Sequence, residues 1–400
     1  MRAAGRHALP AEFRLVAACC IWPPSEHRNA AIRQAASGTV DWDNVLQVTR
    51  RQRVAGLVYD GLKCAEIVMP AAVSDALAAG ASDVARRSLL LASEALRLQD
   101  VFAAASIPVM FVKGTALAQL AYGNIAIKQA YDIDVLVTPD AVVRACAVLD
   151  AAGYKRTFPT ANVTPERFAT WTEFSKECVF QHDRHGVIVE LHWRLADNPA
   201  VLRGVTANSA SRAVAVSPGR ALRTLGDEDL FAYLCFHGAQ HAWSRLKWLA
   251  DLAAWLAAKP PQDVERLCRT ARAAGTGRAP DQALLLCEEL FGTPLPPSLA
   301  ATMPKDRVNL WLVSIALSAM AGGGATQQTH DRPFGNLEIF LSHFLLAPGF
   351  WQELHTKAIG GVDFDSVALP RPLFFLYPVL RVPSWIWRRA LHLVGQSRVN

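Results

Sequence analysis

Apolar residues recur along the first hundred positions at the spacing of helix faces. Phe13, Val16, Ala17 and Cys20 keep a helical period, and Val45, Val48, Val54, Leu57 and Val58 are set among polar residues between Asp41 and Tyr59. Val73, Leu77, Val84, Leu91, Leu98 and Phe102 advance by four and seven, which is one face of a helix. Gly80 is expected to divide that stretch into two helices. The pattern predicts a helical N-terminal region over residues 1–106 with a core-facing stripe, not a coiled coil.

The period changes at Pro108. Val109-Met110-Phe111-Val112 is a short buried-strand run that ends at Lys113-Gly114, and Thr115 to Tyr122 reads as a helix. Tyr131 to Val137 alternates as a strand. Thr138-Pro139-Asp140 then opens a helix, with Thr as cap, Pro at the first helical position and Asp in the first turn; Gly153 ends it. Two more strands are predicted, near Cys178–Gln181 and over Val187–Trp193, joined by Asp183-Arg184-His185-Gly186 as a hairpin loop. Residues 107–200 are therefore a mixed α/β domain. From Asp227 helices dominate: Asp227, Glu228 and Asp229 suit a helix N-terminus, Trp243–Trp255 continues as a helix, and more follow over 262–291 and 305–321. The segment 201–400 is read as a helical C-terminal region, so the expected fold class is α+β, a small mixed sheet between helical flanks.

Composition narrows the picture only a little. The chain has 400 residues, 52% of them apolar and 19% charged, which excludes disorder along its length. Lys and Arg number 41 against 35 Asp and Glu, for +6, an excess compatible with an anionic small molecule, a nucleic acid or a membrane surface. Eight cysteines include no CxxC pair, so they read as reduced thiols of a cytoplasmic protein. Glu12 and Arg14 interrupt the N-terminal apolar run, which argues against an export signal, and no run is long enough for a transmembrane helix. Residues 366–400 hold five Arg, no acid, and Trp385 and Trp387. Peripheral membrane contact by this tail is the secondary reading; prolines at 372, 378 and 383 favour a tail packed on the domain.

The candidate chemistry sits at Asp132-Ile133-Asp134. Residues two apart on a strand share a face, so both carboxylates project together while Ile133, Val135 and Val137 point to a core. Such a pair suits divalent metals in phosphoryl or nucleotidyl transfer, and Glu190, with His192 on its own face, is the candidate third acid. Acid-x-acid also occurs at Asp41/Asp43, Asp227/Asp229 and Asp363/Asp365; the strand context and the upstream Lys113-Gly114-Thr115 single out the first pair. Glycine lets a ligand approach the backbone, the following helix offers free N–H groups to a phosphate, and Lys113 adds a charge. His237 and His241 are four apart but lack the Glu of a zinc protease, so they are expected in the core or along a cleft. Lys247 and Asp251 are expected to form a solvated i,i+4 pair.

Phe111-Val112-Lys113-Gly114-Thr115-Ala116-Leu117, Tyr122, Asp132-Ile133-Asp134-Val135-Leu136-Val137 and Val189-Glu190-Leu191-His192-Trp193 together resemble the uncharacterised bacterial nucleotidyltransferase family of the polymerase-β superfamily. His237, His241, Trp243, Leu246 and Asp251 extend the resemblance more weakly. It implies two Mg2+ ions, with Mn2+ as the alternative, on Asp132, Asp134 and Glu190. An NTP would be held by Lys113, Gly114, Thr115, Lys128, Tyr131, His192, His237 and His241. Lys128 stands where the family tends to carry Arg, and Tyr131 where a small residue is usual, so the ring is expected to narrow the nucleotide site or stack in it. The implied reaction moves a nucleoside monophosphate from an NTP to an acceptor and releases pyrophosphate. Kinase-like phosphoryl transfer, toxin-type modification of tRNA, and a non-catalytic nucleotide-binding or scaffold role remain alternatives. The acceptor (small molecule, peptide or RNA) is left open.

Overall fold

Alternation in the central strands sends successive side chains to two different cores. Met110, Val112 and Leu136 join one apolar cluster; Phe111, Ile133, Val135, Val137, Val189 and Leu191 join the other. The computed structural model in which this is seen describes residues 9–161, 163–303, 306–322, 337–349, 351–354, 364–365, 367, 369–377 and 379–380. The tail expectation for 381–400, with Trp385 and Trp387, lies outside the described residues, as does Asp363.

Four helices, α1 (Ala11–Cys19), α2 (Glu26–Ala35), α3 (Trp42–Gln52) and α4 (Ala55–Cys64), precede the long α5 (Ala71–Ala104). The sheet region follows as β1 (Met110–Phe111), α6 (Gly114–Tyr122), β2 (Asp132–Leu136), α7 (Val142–Ala151), β3 (Tyr154–Phe158), α8 (Pro165–Phe174), β4 (Glu177–His182) and β5 (Ile188–His192). A hairpin, β6 (Ser211–Ser217) and β7 (Arg220–Leu225), leads to α9 (Asp227–Gln240), α10 (Leu246–Leu256), α11 (Pro261–Ala271), α12 (Ala279–Phe291), α13 (Pro297–Ala300), α14 (Arg307–Ala321) and α15 (Leu337–Leu346). The fold is α+β, with a small mixed sheet and helical flanks. The five-stranded sheet has the order β1-β2-β5-β4-β3; only β2 and β5 run parallel, with Asp134 opposite Glu190 and Leu136 opposite His192.

The structure corrects several sequence expectations. Gly80 does not break α5, which runs unbroken for 34 residues; a Cβ there would meet only the Ala55 Cβ at 3.6 Å, so the glycine sits against α4 in an ordinary helix. The segment 201–400 is not helical throughout, because β6 and β7 lie in it. Those strands escape a hydrophobic pattern since β6 keeps only Val214 buried and carries Arg212; β3 escapes it because Lys155 and Thr157 face solvent on a sheet edge. Nor does one helix run from Trp243: Ala242 (φ 48°) and Trp243 (φ 49°) form a left-handed turn before α10. The Trp243 indole packs over Gly238 and donates to Gln282 Oε1 at 3.1 Å. That turn lays the first turn of α10 beside the sheet.

Two of the other acid-x-acid pairs are helix starts: Asp41 caps α3 by accepting from the Asn44 N–H, and Asp227 and Asp229 lie in the first turn of α9. All eight cysteines are free thiols. No described helix is long and apolar enough to cross a membrane.

Candidate active site

Parallel pairing of β2 and β5 sets Asp134 and Glu190 side by side on the face opposite Ile133 and Val189. His192, two residues further along β5, shares that face. One ligand atom each of Asp134, Glu190 and His192 lies within 4.8 Å of the others, a group able to hold a metal ion. Asp134 is buried, and its Oδ1 takes the Lys113 ammonium at 2.8 Å and His192 Nε2 at 3.3 Å. Its Oδ2 is buried with no hydrogen-bond partner among the described residues. His192 Nε2 also stands 3.5 Å from Glu190 Oε2, and Nδ1 stands 3.1 Å from Glu177 Oε2. Glu177 is paired in turn with its neighbour Lys176.

Each group's charge follows from these contacts. Burial disfavours the Asp134 carboxylate, but Lys113 and His192 outweigh it and hold the carboxyl well below its usual range. Burial likewise opposes the His192 imidazolium, yet Glu177, Asp134 and Glu190 carry its pKa up to about 9. Glu177 is brought down to about 2, since Lys176 and His192 overcome its burial. Glu190 moves the other way: burial, Asp134 and Glu177 push it up, despite His192 and Lys113. Of the three carboxyl groups around His192, Glu190 is the one shifted toward its protonated form.

Lys113 is the N-cap of α6 and Gly114, its first residue, takes the left-handed conformation (φ 59°), so the free N-terminal turn of the helix begins at residues that line the cleft. The cleft encloses about 390 Å³ between the sheet and the first turn of α10. Asp132 is half-buried and lines it, outside the Asp134–Glu190–His192 group. Lys128, His237 and His241 line it too; Thr115 lies in a small recess beside Gly114 and Asp132. The two histidine rings are 4.7 Å apart and both pack against Trp248. Desolvation, with Lys113 next, holds His237 well below its ordinary pKa, hence neutral. Tyr131 is 41% exposed and is not among the cleft-lining side chains; its ring lies under the Arg53 guanidinium at 4.5 Å.

Lys247 and Asp251 are not a solvated pair. Both are buried, and Asp251 accepts from the Tyr122 hydroxyl at 2.9 Å and pairs with Lys128 at 3.4 Å. Sequence reasoning also missed Glu177, Lys176, Arg53 and Trp248. Glu177 lies one residue outside the predicted strand Cys178–Gln181, and the antiparallel register that sets it opposite His192 on β5 brings it to the site. The others reach the cleft by tertiary packing alone.

A family model described as an uncharacterised nucleotidyltransferase matches residues 38–292. The match runs from the approach to α3 through the end of α12, so it takes in every cleft residue named above. A search of curated proteins finds no match.

Proposed function

The chain belongs to this nucleotidyltransferase family, and from that premise we propose that it transfers a nucleoside monophosphate from an NTP to an acceptor, releasing pyrophosphate, with a divalent cation bound in the cleft. The observation that carries the reading is the meeting of Asp134, Glu190 and His192 beside the N-terminus of α6, with one buried carboxylate oxygen of Asp134 lacking a partner among the described residues.

The donor set fits a dication. An unpartnered Asp134 Oδ2 and a Glu190 crowded by other carboxylates are both relieved by added positive charge. Asp134 and Glu190 would hold the ion, and with Asp132 lining the same cleft the surroundings are oxygen-rich, which suits Mg2+, with Mn2+ as the alternative; His192, an imidazolium in the free protein, would have to give up its Nε2 proton to join them. When bound, such an ion supplies Lewis-acid neutralisation of phosphate oxygens.

The chain's own groups account for the rest. The backbone N–H groups after Gly114 and the Lys113 ammonium bind the phosphate at which displacement occurs. Glu190, as the carboxylate whose basicity burial and the neighbouring acids raise, takes the proton from the attacking acceptor hydroxyl. Glu177 fixes the His192 ring from behind, so that Nε2 faces Asp134 and Glu190. Catalysis rests on position and charge, as the loose transition state of phosphoryl transfer requires.

The test pairs binding with label transfer. With Mg2+, the wild type is expected to bind NTP and to move an α-phosphate label to acceptor; Asp134→Asn and Glu190→Gln should do neither. Transfer of the γ label alone would establish phosphoryl transfer instead. NTP binding that is equal in wild type and Asp134→Asn, with no transfer of either label, would leave only the non-catalytic role.

A further inference from the structure

Across the cleft from Asp134, Lys247 is buried in the first turn of α10, and among the described residues no hydrogen bond or ion pair reaches its ammonium. Asp251, the carboxylate one helical turn away, is engaged by Lys128 and the Tyr122 hydroxyl. Arg53, at the left-handed C-cap of α3, adds a second cation with no carboxylate partner among the described residues; its guanidinium is fixed over Tyr131. This wall therefore carries three cations and one engaged carboxylate. Asp132, on β2, lines the same cleft, and its charge acts on both Lys113 and Lys247.

A buried ammonium without a counter-ion is unfavourable, and a methionine of similar length would pack there at less cost. Burial, with Lys128 and Arg53, brings the Lys247 pKa down to about 7 against the pull of Asp132 and Asp251. Such a group meets its missing counter-charge only when a polyanion enters the cleft.

We propose that Lys247, flanked by Arg53 and Lys128, binds the polyphosphate arm of the nucleoside triphosphate, the part that leaves as pyrophosphate. The assignment rests on the nucleotidyl-transfer reading and divides the cleft. Lys113 and the α6 N-terminus serve the reacting phosphate beside the carboxylates, and the α10 wall serves the leaving group. Oxygens of a diphosphate are concentrated acceptors that satisfy an ammonium and a guanidinium together.

Titration calorimetry with inorganic pyrophosphate, without divalent metal, tests the site on the full chain. Lys247→Met should weaken pyrophosphate binding by at least about tenfold, the value of a charged hydrogen bond, and leave nucleoside monophosphate binding unchanged. Lys247→Arg should keep pyrophosphate affinity within about threefold. Arg53→Gln, a change at a half-exposed side chain, should weaken it as well. In two buffers of different ionisation enthalpy near neutral pH, wild type should take up more protons on binding than Lys247→Arg does, the ionisation of pyrophosphate itself being common to both. Pyrophosphate affinity unchanged in both Lys247→Met and Arg53→Gln overturns the site. That result would leave Mg2+-dependent NTP binding, read separately through Asp134→Asn, to judge the transfer reading. The converse, pyrophosphate binding that needs Lys247 with no NTP binding at all, would keep the anion site and reject the transfer reading.

Discussion

His192 and Lys247 load the ligand-free protein in opposite directions. The folded-state pKa of His192 is raised from 6.5 to about 9, so its contribution to stability is complete below pH 6.5 and is lost as pH climbs through 9. Glu177, lowered from 4.5 to about 2, contributes above pH 4.5 and loses that contribution as pH falls through 2. With a chelator present, the unfolding midpoint of wild type minus that of His192→Gln should shrink steadily between pH 6.5 and 9; a constant difference would refute the assignment. Lys247 is lowered from 10.5 to about 7, so its burial penalises the fold most fully below pH 7. Lys247→Met is thus expected to stabilise the free protein at pH 6, by on the order of 1–2 kcal/mol in urea unfolding, while it impairs pyrophosphate binding. Lys113→Met should do the reverse. It leaves Asp134 buried without its 2.8 Å partner and should cost about 3–5 kcal/mol, part of it recovered by added Mg2+ in a thermal-shift assay. The sequence offered Lys247 and Asp251 as partners because they are one turn apart. It could not show that Lys128, from a distant loop, takes the carboxylate first.

Strand and glycine chemistry explain which elements were readable. The polar-apolar alternation of β2 and β5 was legible because each strand divides its side chains between a dry core and a cleft. The 241–245 turn was not, since nothing local in His-Ala-Trp-Ser-Arg demands left-handed residues; Trp243 adopts one so that its ring can cover Gly238 and reach Gln282. Two glycines separate the costs. Gly114 has a φ of 59° but open space, with the Asp132 carbonyl 3.8 Å from an added Cβ, so Gly114→Ala should cost only backbone strain, about 1 kcal/mol. Gly238 lies inside α9, yet its Cβ would stand 2.3 Å from the Trp243 ring. Gly238→Ala should cost about 1–3 kcal/mol in urea unfolding and, by shifting α10, weaken pyrophosphate binding too. A Gly238→Ala protein with wild-type stability would show that the indole has other places to go.

At the scale of the molecule, α5 joins what the strands divide. At about 50 Å, it places Val73 and Leu77 in one apolar cluster and Leu91, Leu98 and Phe102 in the other. The clusters also interleave along the chain, because Met110 and Phe111 are adjacent residues in different cores. Calorimetry is therefore expected to record one unfolding transition over the described core, and two separated endotherms would contradict that coupling. The sequence by itself determined the α+β class, the strand that carries Asp132 and Asp134, the strand that carries Glu190 and His192, and the glycine bend beside them. These follow from side-chain periodicity and from what single residues allow the backbone to do. Only the tertiary structure decided that His192 is the hub joining Asp134, Glu190 and Glu177, that Asp132 stands apart from that group, and that Lys247 has no counter-ion among the described residues. Charge pairing depends on distance in space, and segments more than a hundred residues apart, such as Lys113 and Lys247, meet across the cleft only once both cores have closed around α5.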